Sequence, residues 1–123
     1  MRIAITEHEN RISPVFDSSQ WLHVFDADGN DIEMHQEYIG DRSPFGKIVR
    51  LKDLGVDVLI CGAITRPLQF DLINEHIQVY PFVCGDANAI LDDFLKNKRI
   101  DGRFAMPGYG QRRRRRQRRG GHV

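Results

Sequence analysis

The spacing of apolar positions divides the first hundred residues into short strands and helices. Residues 2–6 are rich in isoleucine and predict a first, central strand. Residues 21–26 contain aromatic and β-branched side chains and predict a second strand. Apolar and polar positions alternate through residues 32–38, which predicts a third, half-exposed strand. Because residues 26–31 are rich in turn-forming Asp, Gly and Asn, the second and third strands are expected to form an antiparallel hairpin.

The second half of the chain alternates helical patterns with short apolar runs. Apolar residues recur at helical spacing in residues 47–54, which predicts a first helix. Residues 57–61 and 78–84 predict a fourth and a fifth strand. A second helix is expected to begin near Pro67, since proline suits the first helical turn. A third is expected to begin at Asp86, because aspartate is a favourable N-cap residue.

This order of elements predicts an α/β fold. Three strands are followed by helix, strand, helix, strand and helix, and right-handed crossovers make the first, fourth and fifth strands parallel. The simplest arrangement is a five-stranded mixed sheet in the order 3-2-1-4-5, with helices on both faces. This is the three-layer topology of the ribonuclease H-like fold.

Charge is distributed unevenly along the chain. The formal net charge is +1, yet seven of the 18 lysine and arginine residues lie between Arg112 and Arg119. Without these seven, 11 basic residues face 17 acidic ones, a balance of −6. We therefore predict one acidic domain over residues 1–101, followed by a flexible, arginine-rich tail over residues 102–123.

The apolar content also indicates where the protein resides. The sequence has no run of about 18 apolar residues, so no transmembrane helix is expected. The amino terminus becomes charged too early for a signal peptide. We therefore expect a cytoplasmic protein, whose two cysteines are reduced thiols rather than a structural disulfide.

Two cysteines fall at equivalent places in the predicted sheet. Cys61 and Cys84 each end a predicted strand, and each is followed by glycine. Because the carboxyl ends of parallel strands meet at the ligand-binding edge, both thiols are expected there, with His8 after the first strand. Cysteine and histidine suit soft metal centres, which makes His8, Cys61 and Cys84 a candidate metal site. Two thiolates hold only half of a cluster site, so a dimer or an exogenous ligand would complete it. The alternative is that both cysteines are small buried core residues.

A candidate anion site lies at the start of the second predicted helix. The first amide groups of a helix and the guanidinium of Arg66 favour a negatively charged ligand next to Thr65. The alternative interpretation is a helix cap with a surface arginine.

Three short segments carry a resemblance to a known family. They are Ser13-Pro14-x-Phe16, Cys61-Gly62-Ala63, and Met106-Pro107-Gly108 before the arginines. In this order they resemble the dinitrogenase iron–molybdenum cofactor biosynthesis family, which includes the NifX and NafY type carriers and the carboxy-terminal domain of NifB. The resemblance implies a ribonuclease H-like fold and a carrier or storage protein, not an enzyme. Its implied cargo is an iron–sulfur cluster or an iron–molybdenum cofactor precursor. Tyr109 stands where many such relatives have cysteine.

Other functional classes receive less support from the sequence. The first strand has no central carboxylate, so the metal-dependent chemistry of a nuclease is not expected. The tail from Arg112 to Arg119 favours a nucleic acid or an acidic protein as a partner, and phosphate contacts by arginine would make nucleic-acid binding salt-sensitive. A nucleic-acid-associating module is therefore the alternative function. A homodimer or higher assembly is a further expected partner state.

Overall fold

The computed structural model describes residues 1–28 and 31–108. The elements along the chain are β1 (Arg2–His8), β2 (Arg11–Ile12), β3 (Trp21–Asp28), β4 (Asp31–Tyr38), α1 (Pro44–Asp53), β5 (Val58–Ile60), α2 (Arg66–Asn74), β6 (Gln78–Tyr80), α3 (Ala87–Asn97) and a single 3-10 turn at Gly102–Phe104. No helix within these two ranges has the length and apolar character needed to cross a membrane. The α/β class is confirmed.

The six strands form one mixed sheet. Five lie side by side in the order β4-β3-β1-β5-β6, and β2 pairs with β1. The β1–β3 and β3–β4 pairs are antiparallel, whereas β1–β5 and β5–β6 are parallel. Within the described residues the five predicted strands correspond to the five in this path, and the sixth strand, β2, was not predicted. The prediction that Cys61 and Cys84 end strands is wrong, because β5 ends at Ile60 and β6 at Tyr80. After Tyr80, Pro81 cannot donate to the ladder and Phe82 has a positive φ angle, so Cys84 lies in a loop. The ribonuclease H-like label stays a prediction.

The missed strand is β2, a pair of residues just before Pro14. Its Ile12 pairs with Glu7, and its Arg11 pairs with His8. Proline cannot donate to a strand ladder, so a sequence with Pro14 at this place predicts irregular structure around it. The ladder ends before the proline, which is why two residues of strand escape a pattern-based prediction.

Helices cover both faces of the sheet and create two buried clusters. On one face, Ala4 and Leu59 pack with buried residues of α1 and α2, including Leu51 and Leu72. On the other, Ile3 and Val58 pack with α3. Strand β1 is therefore buried on both faces, which explains why its sequence is a nearly continuous apolar run. This central position fixes the end of β1 at the edge where the candidate site lies.

Candidate functional site

Four loop segments lie next to one another where the parallel strands end. The amide of Ala63 donates to the carbonyl of Pro14 at 2.8 Å, which joins the segment after β2 to the segment after β5. The amide of Phe82 donates to the carbonyl of Gly62 at 2.8 Å and adds the segment after β6. The amide of Met106 donates to the carbonyl of Phe82, also at 2.8 Å. We call this array the loop edge, and it consists of residues 13–16, 61–64, 81–85 and 104–108.

Gly62 sits at the closest approach within the loop edge. A Cβ atom at this position would lie 2.4 Å from the carbonyl oxygens of both Ser13 and Pro14. Real Cβ atoms do not approach backbone oxygens so closely, and both oxygens belong to a chain segment fixed by its own hydrogen bonds. The glycine is therefore required by packing, and the Cys61-Gly62-Ala63 motif has a structural reason.

Phe82 has an unusual backbone conformation at the centre of the loop edge. Its φ angle is 59°, in the left-handed region that is costly for an aromatic residue. Such a conformation costs of order 1–3 kcal/mol and persists only where the surroundings impose it. Here its amide donates to Gly62 and its carbonyl accepts from Met106, so the neighbouring segments fix it from both sides.

Cys61 lies in the core. Its side chain is 0% exposed and belongs to the same buried cluster as Phe16 and Ile64. Burial raises the pKa of its thiol to about 12, because the apolar surroundings disfavour the thiolate. Since the thiolate is the form that binds metals, Cys61 could act as a ligand only if the surrounding loops opened.

Cys84 has a different environment at the same edge. It is only partly buried, and its Sγ lies 3.6 Å from the carbonyl oxygen of Ala105. Its amide donates to the carbonyl of Phe104 at 2.7 Å, so the chain after α3 lies directly against it. Cys84 is thus the more accessible of the two thiols.

The third predicted metal ligand, His8, does not join the cysteines in one cluster. Its side chain is 65% exposed, and its Nε2 lies 3.8 Å from Oε1 of Glu9. Across residues 1–28 and 31–108, no three His, Cys, Asp or Glu side chains converge in a way that could bind a metal ion. The ligand set of His8, Cys61 and Cys84 therefore stays a prediction.

The start of α2 keeps the features expected of an anion site. Thr65 is the N-cap residue, yet its side chain makes no capping hydrogen bond, and Arg66 begins the helix. Both residues are exposed. By contrast, Asp86 caps α3 by accepting a hydrogen bond from the amide of Ala89 at 2.9 Å. The first amides of α2 therefore lack the side-chain cap that α3 has, and they adjoin the loop edge.

Two buried polar residues that the sequence did not single out support the loop edge. Lys47 of α1 donates from Nζ to the carbonyls of Asp17 and Ser19, both at 2.6 Å. It thereby fixes the chain that follows residues 13–16, and burial lowers the pKa of its ammonium group. A lysine within an amphipathic helix pattern gives no sequence signal for this role.

The second is Glu7, at the end of β1. Its Oε2 lies 2.9 Å from Nε2 of His23, and both side chains are almost fully buried. Its Oε1 accepts from the amide of Asn10, whose carbonyl in turn accepts from Ala87 at the start of α3 at 2.9 Å. Glu7 therefore connects β3 to the turn that packs against the loop edge.

The predicted tail meets the domain at this same edge. Its first residues, 102–108, include the 3-10 turn and the backbone bonds from Cys84 to Phe104 and from Met106 to Phe82. Tyr109 and the arginines from Arg112 to Arg119 lie outside the described residues. The predicted boundary between domain and tail at residue 101 stays a prediction.

The sequence identifies the family. Residues 1–97 match the profile of the dinitrogenase iron-molybdenum cofactor family, so the chain belongs to this family. The predicted resemblance is thereby confirmed. No curated protein matches the sequence significantly.

Solved structures share the fold. The crystal structure of PH0822 has a TM-score of 0.77 with 17% identity, over 90% of this chain and 98% of that one. The orange protein of Desulfovibrio gigas has a TM-score of 0.64 with 20% identity, over 81% and 92%. The MJ0327 protein of Methanocaldococcus jannaschii has a TM-score of 0.61 with 20% identity, over 82% and 92%. At these identities the similarity establishes the fold alone.

Proposed function

We propose that the protein is a carrier or scaffold for an iron–sulfur or iron–molybdenum type cluster, or for a precursor of one. The cluster is cargo in this proposal, bound at the loop edge and passed on, and no catalytic step is assigned. Membership of the dinitrogenase iron-molybdenum cofactor family supports this class of cargo.

The observation that carries the proposal is the convergence of the family-like segments around one accessible thiol. Residues 13–16, 61–63 and 106–108 are far apart in sequence, yet backbone hydrogen bonds join them side by side. The partly exposed Cys84 lies among them. We expect segments that are far apart in sequence and carry the family resemblance to lie together where the protein binds its cargo.

The available donors fit an anionic cargo better than a resident cluster. A cluster bound only by protein requires about four thiolates, whereas this edge offers one accessible thiol and one buried thiol. A preformed cluster brings its own sulfide ligands and negative charge. One thiolate from Cys84, the guanidinium of Arg66 and the first amides of α2 suit such a ligand.

We assign the roles accordingly. Cys84 is the proposed thiolate ligand, while Arg66 and the backbone next to Thr65 neutralise charge. Cys61 joins the ligand set only after the loops open, because its thiol is buried and its pKa is raised. His8 is a proposed auxiliary ligand, exposed at the end of β1.

Anaerobic reconstitution with iron and sulfide tests the proposal, followed by metal analysis and a visible spectrum of the desalted protein. Cys84→Ser is expected to retain about tenfold less iron, because it removes the accessible thiolate ligand, and this loss corresponds to about 1.4 kcal/mol of binding free energy. The Arg66→Ala variant is expected to bind less iron than the parent. Arg42→Ala is the matched control, because Arg42 is an exposed arginine in the segment just before α1. If the double variant Cys61→Ser/Cys84→Ser binds as much iron as the parent, the site assignment is wrong.

The charge segregation supports a second candidate function, association with nucleic acid. Seven arginines between Arg112 and Arg119 follow an acidic domain, and such a segment binds phosphates without sequence preference. Deleting these residues is expected to abolish retention on single- and double-stranded DNA at moderate salt. If the intact protein shows no retention even at low salt, this candidate is excluded.

A further inference from the structure

The outer strand of the hairpin, β4, has an open edge in the part of the chain that the structure describes. It lies at one end of the sheet order and pairs there with β3 along all eight of its residues. Every β4 side chain is exposed apart from that of Glu37, which is half-buried. Long, exposed edge strands are templates for pairing with another strand, and proteins usually shorten or cover them.

The groups that are free on this edge follow from the register with β3. The amide of Ile39 donates to the carbonyl of Gln20 at 2.7 Å, one step beyond the Trp21–Tyr38 pair. Because bonded and non-bonded pairs alternate in an antiparallel ladder, the odd-numbered residues of β4 bond to β3. The even-numbered residues Ile32, Met34, Gln36 and Tyr38 therefore direct their backbone groups away from β3.

Three of these four residues form an apolar patch next to the open edge, and Gln36 between them places its Nε2 2.9 Å from Nε2 of His23. Ile32, Met34 and Tyr38 are 48–52% exposed, and Trp21 on β3 adds its ring, 5.1 Å from that of Tyr38. They share the sheet face on which α3 packs, but α3 covers the β1, β5 and β6 side of it. Contiguous exposed apolar surface of this kind is typical of an interaction site.

The order of residues in β4 indicates that the partner is a second copy of the same chain. Residues 34–38 read Met-His-Gln-Glu-Tyr, an order that complements itself when reversed about Gln36. An antiparallel copy centred on Gln36 places Met34 opposite Tyr38 of the second copy. It also places His35 opposite Glu37 of the second copy, twice by symmetry. Apolar pairs and hydrogen-bonded polar pairs across strands are favourable combinations. The imidazole of His35 can donate to the carboxylate of Glu37, which also accepts from Nε of Arg50 in its own chain at 2.8 Å.

Neighbouring registers place like charges opposite each other, although the register centred on Met34 also places Glu33 opposite His35. Centring the pair on His35 would place Glu33 opposite Glu37, and centring it on Met34 would place Asp31 opposite Glu37. Like charges directly opposite each other destabilise a strand pair. We therefore propose that two copies of the chain associate through β4, antiparallel and centred on Gln36, to form one continuous sheet.

The geometry has a consequence for the cargo site. Strand β4 runs parallel to β1, because both are antiparallel to β3. An antiparallel β4–β4 pair therefore places the two loop edges at opposite ends of the joined sheet. Each copy keeps its own loop edge, so this dimer does not combine the cysteines of two chains. The interface is independent of the proposed cargo.

Sedimentation velocity of the full chain over a wide range of concentration tests the interface. The parent is expected to show a concentration-dependent dimer, and Met34→Lys to weaken it by about tenfold or more, since it places a charge on the edge and removes an apolar pair. His35→Glu is expected to weaken it as well, because two carboxylates would then lie opposite each other. His35→Lys is expected to retain it, because an ammonium group opposite Glu37 forms a favourable pair. Phe70→Lys on α2, which removes an equally exposed apolar side chain elsewhere, is the matched control.

Disulfide trapping then tests the register in variants that also carry Cys84→Ser. The Cys84→Ser variant alone is first checked for the same dimerisation as the parent. Gln36→Cys is expected to cross-link on mild oxidation, because directly opposite residues of an antiparallel pair lie within disulfide range. Met34→Cys and His35→Cys place the cysteine at the centres of the two alternative registers. Both variants are expected to remain uncross-linked. A monomer at every concentration, or a dimer that Met34→Lys leaves unchanged, overturns the proposal.

Discussion

The loop edge and the β3–β4 hairpin show two opposite ways of building a surface. At the loop edge, irregular segments from four parts of the chain are joined by backbone hydrogen bonds, with a required glycine and a left-handed phenylalanine. The hairpin consists of two eight-residue strands that pair locally in continuous register. Its outer side chains are exposed, and its free edge is regular.

This difference indicates which surface is tuned for a small ligand. Backbone strain and close approach persist only when the surrounding structure imposes them, and they concentrate at functional sites. A regular exposed strand instead presents repeating backbone groups, which suit another strand. We therefore propose the loop edge as the site for the cargo and the hairpin as the site for a protein partner.

Adding a single methyl group at Gly62 in the loop edge is expected to have the largest effect on the free energy of unfolding. Gly62→Ala places a Cβ atom 2.4 Å from two backbone oxygens, so the segments must separate. We expect it to lower the free energy of unfolding by more than about 3 kcal/mol, at the upper end of overpacking effects. Met34→Ala on the hairpin should change it by only about 0.5 kcal/mol. Urea unfolding of the two variants measures both, and similar values would remove the contrast between the regions.

Glu7 connects the two regions, and its loss is expected to have the next largest effect. Glu7→Ala leaves His23 buried without its carboxylate partner and removes the acceptor of the Asn10 amide. Breaking a buried pair in this way should lower the free energy of unfolding by about 3 kcal/mol.

Two further variants separate the charge of Glu7 from its packing. Glu7→Gln keeps a hydrogen-bond acceptor and should be affected less than Glu7→Ala. The double change Glu7→Leu/His23→Leu should recover much of the loss, because it removes both buried polar groups. Equal losses in all three variants would show that the pair itself contributes little.

The buried thiol of Cys61 should make the stability of the protein fall at alkaline pH. Burial raises the folded pKa of Cys61 from 9.0 to about 12, so the folded chain keeps a proton that the unfolded chain releases. The stabilisation linked to this proton is complete below about pH 9 and is lost as the pH rises towards 12. In that window the free energy of unfolding falls by about 1.4 kcal/mol per pH unit from this group.

Urea unfolding at about pH 8 and about pH 10 measures this dependence. Cys61→Ala should lack the contribution, so its stability relative to the parent improves with pH. Ile60→Val, a change at the neighbouring buried residue that removes no titratable group, is the control and should keep the slope of the parent. A parallel pH dependence in the parent and in Cys61→Ala would contradict the buried environment of Cys61.

The sequence predicted the secondary-structure elements better than the surroundings of individual side chains, and the two cysteines show why. The presence of β5 and β6 followed from apolar runs, which is local information, but the strands end at Ile60 and Tyr80 and not at the cysteines. The burial of Cys61 depends on its packing with Phe16, about 45 residues earlier in the chain. Tertiary packing of this kind leaves no periodic signal, so two cysteines that looked equivalent lie in different surroundings.

The left-handed backbone of Phe82 and the buried pair of Glu7 and His23 were equally difficult to predict from the sequence. Phe82 adopts a positive φ angle because segments on both sides bond to its backbone, whereas sequence signals for this conformation rely on glycine or asparagine. His23 occupies an alternating strand and could have faced either side. Its pairing with Glu7 depends on the register between β1 and β3. Family membership, by contrast, was accessible because Ser13-Pro14-x-Phe16 and Cys61-Gly62-Ala63 keep their order within residues 1–97, which match the family.

The smallest predicted change tests whether the loop edge is specialised for an anion at the expense of stability. Thr65 precedes α2 without capping it, while Asp86 caps α3. Thr65→Asp should add a cap and a favourable charge at the helix start, raising the free energy of unfolding by about 0.5–1 kcal/mol. The same carboxylate should repel an anionic cargo next to Arg66 and reduce iron retention after reconstitution. Thr65→Asn, which can cap without the charge, should gain stability and keep the iron. If Thr65→Asp retains as much iron as Thr65→Asn, the start of α2 is not part of the cargo site.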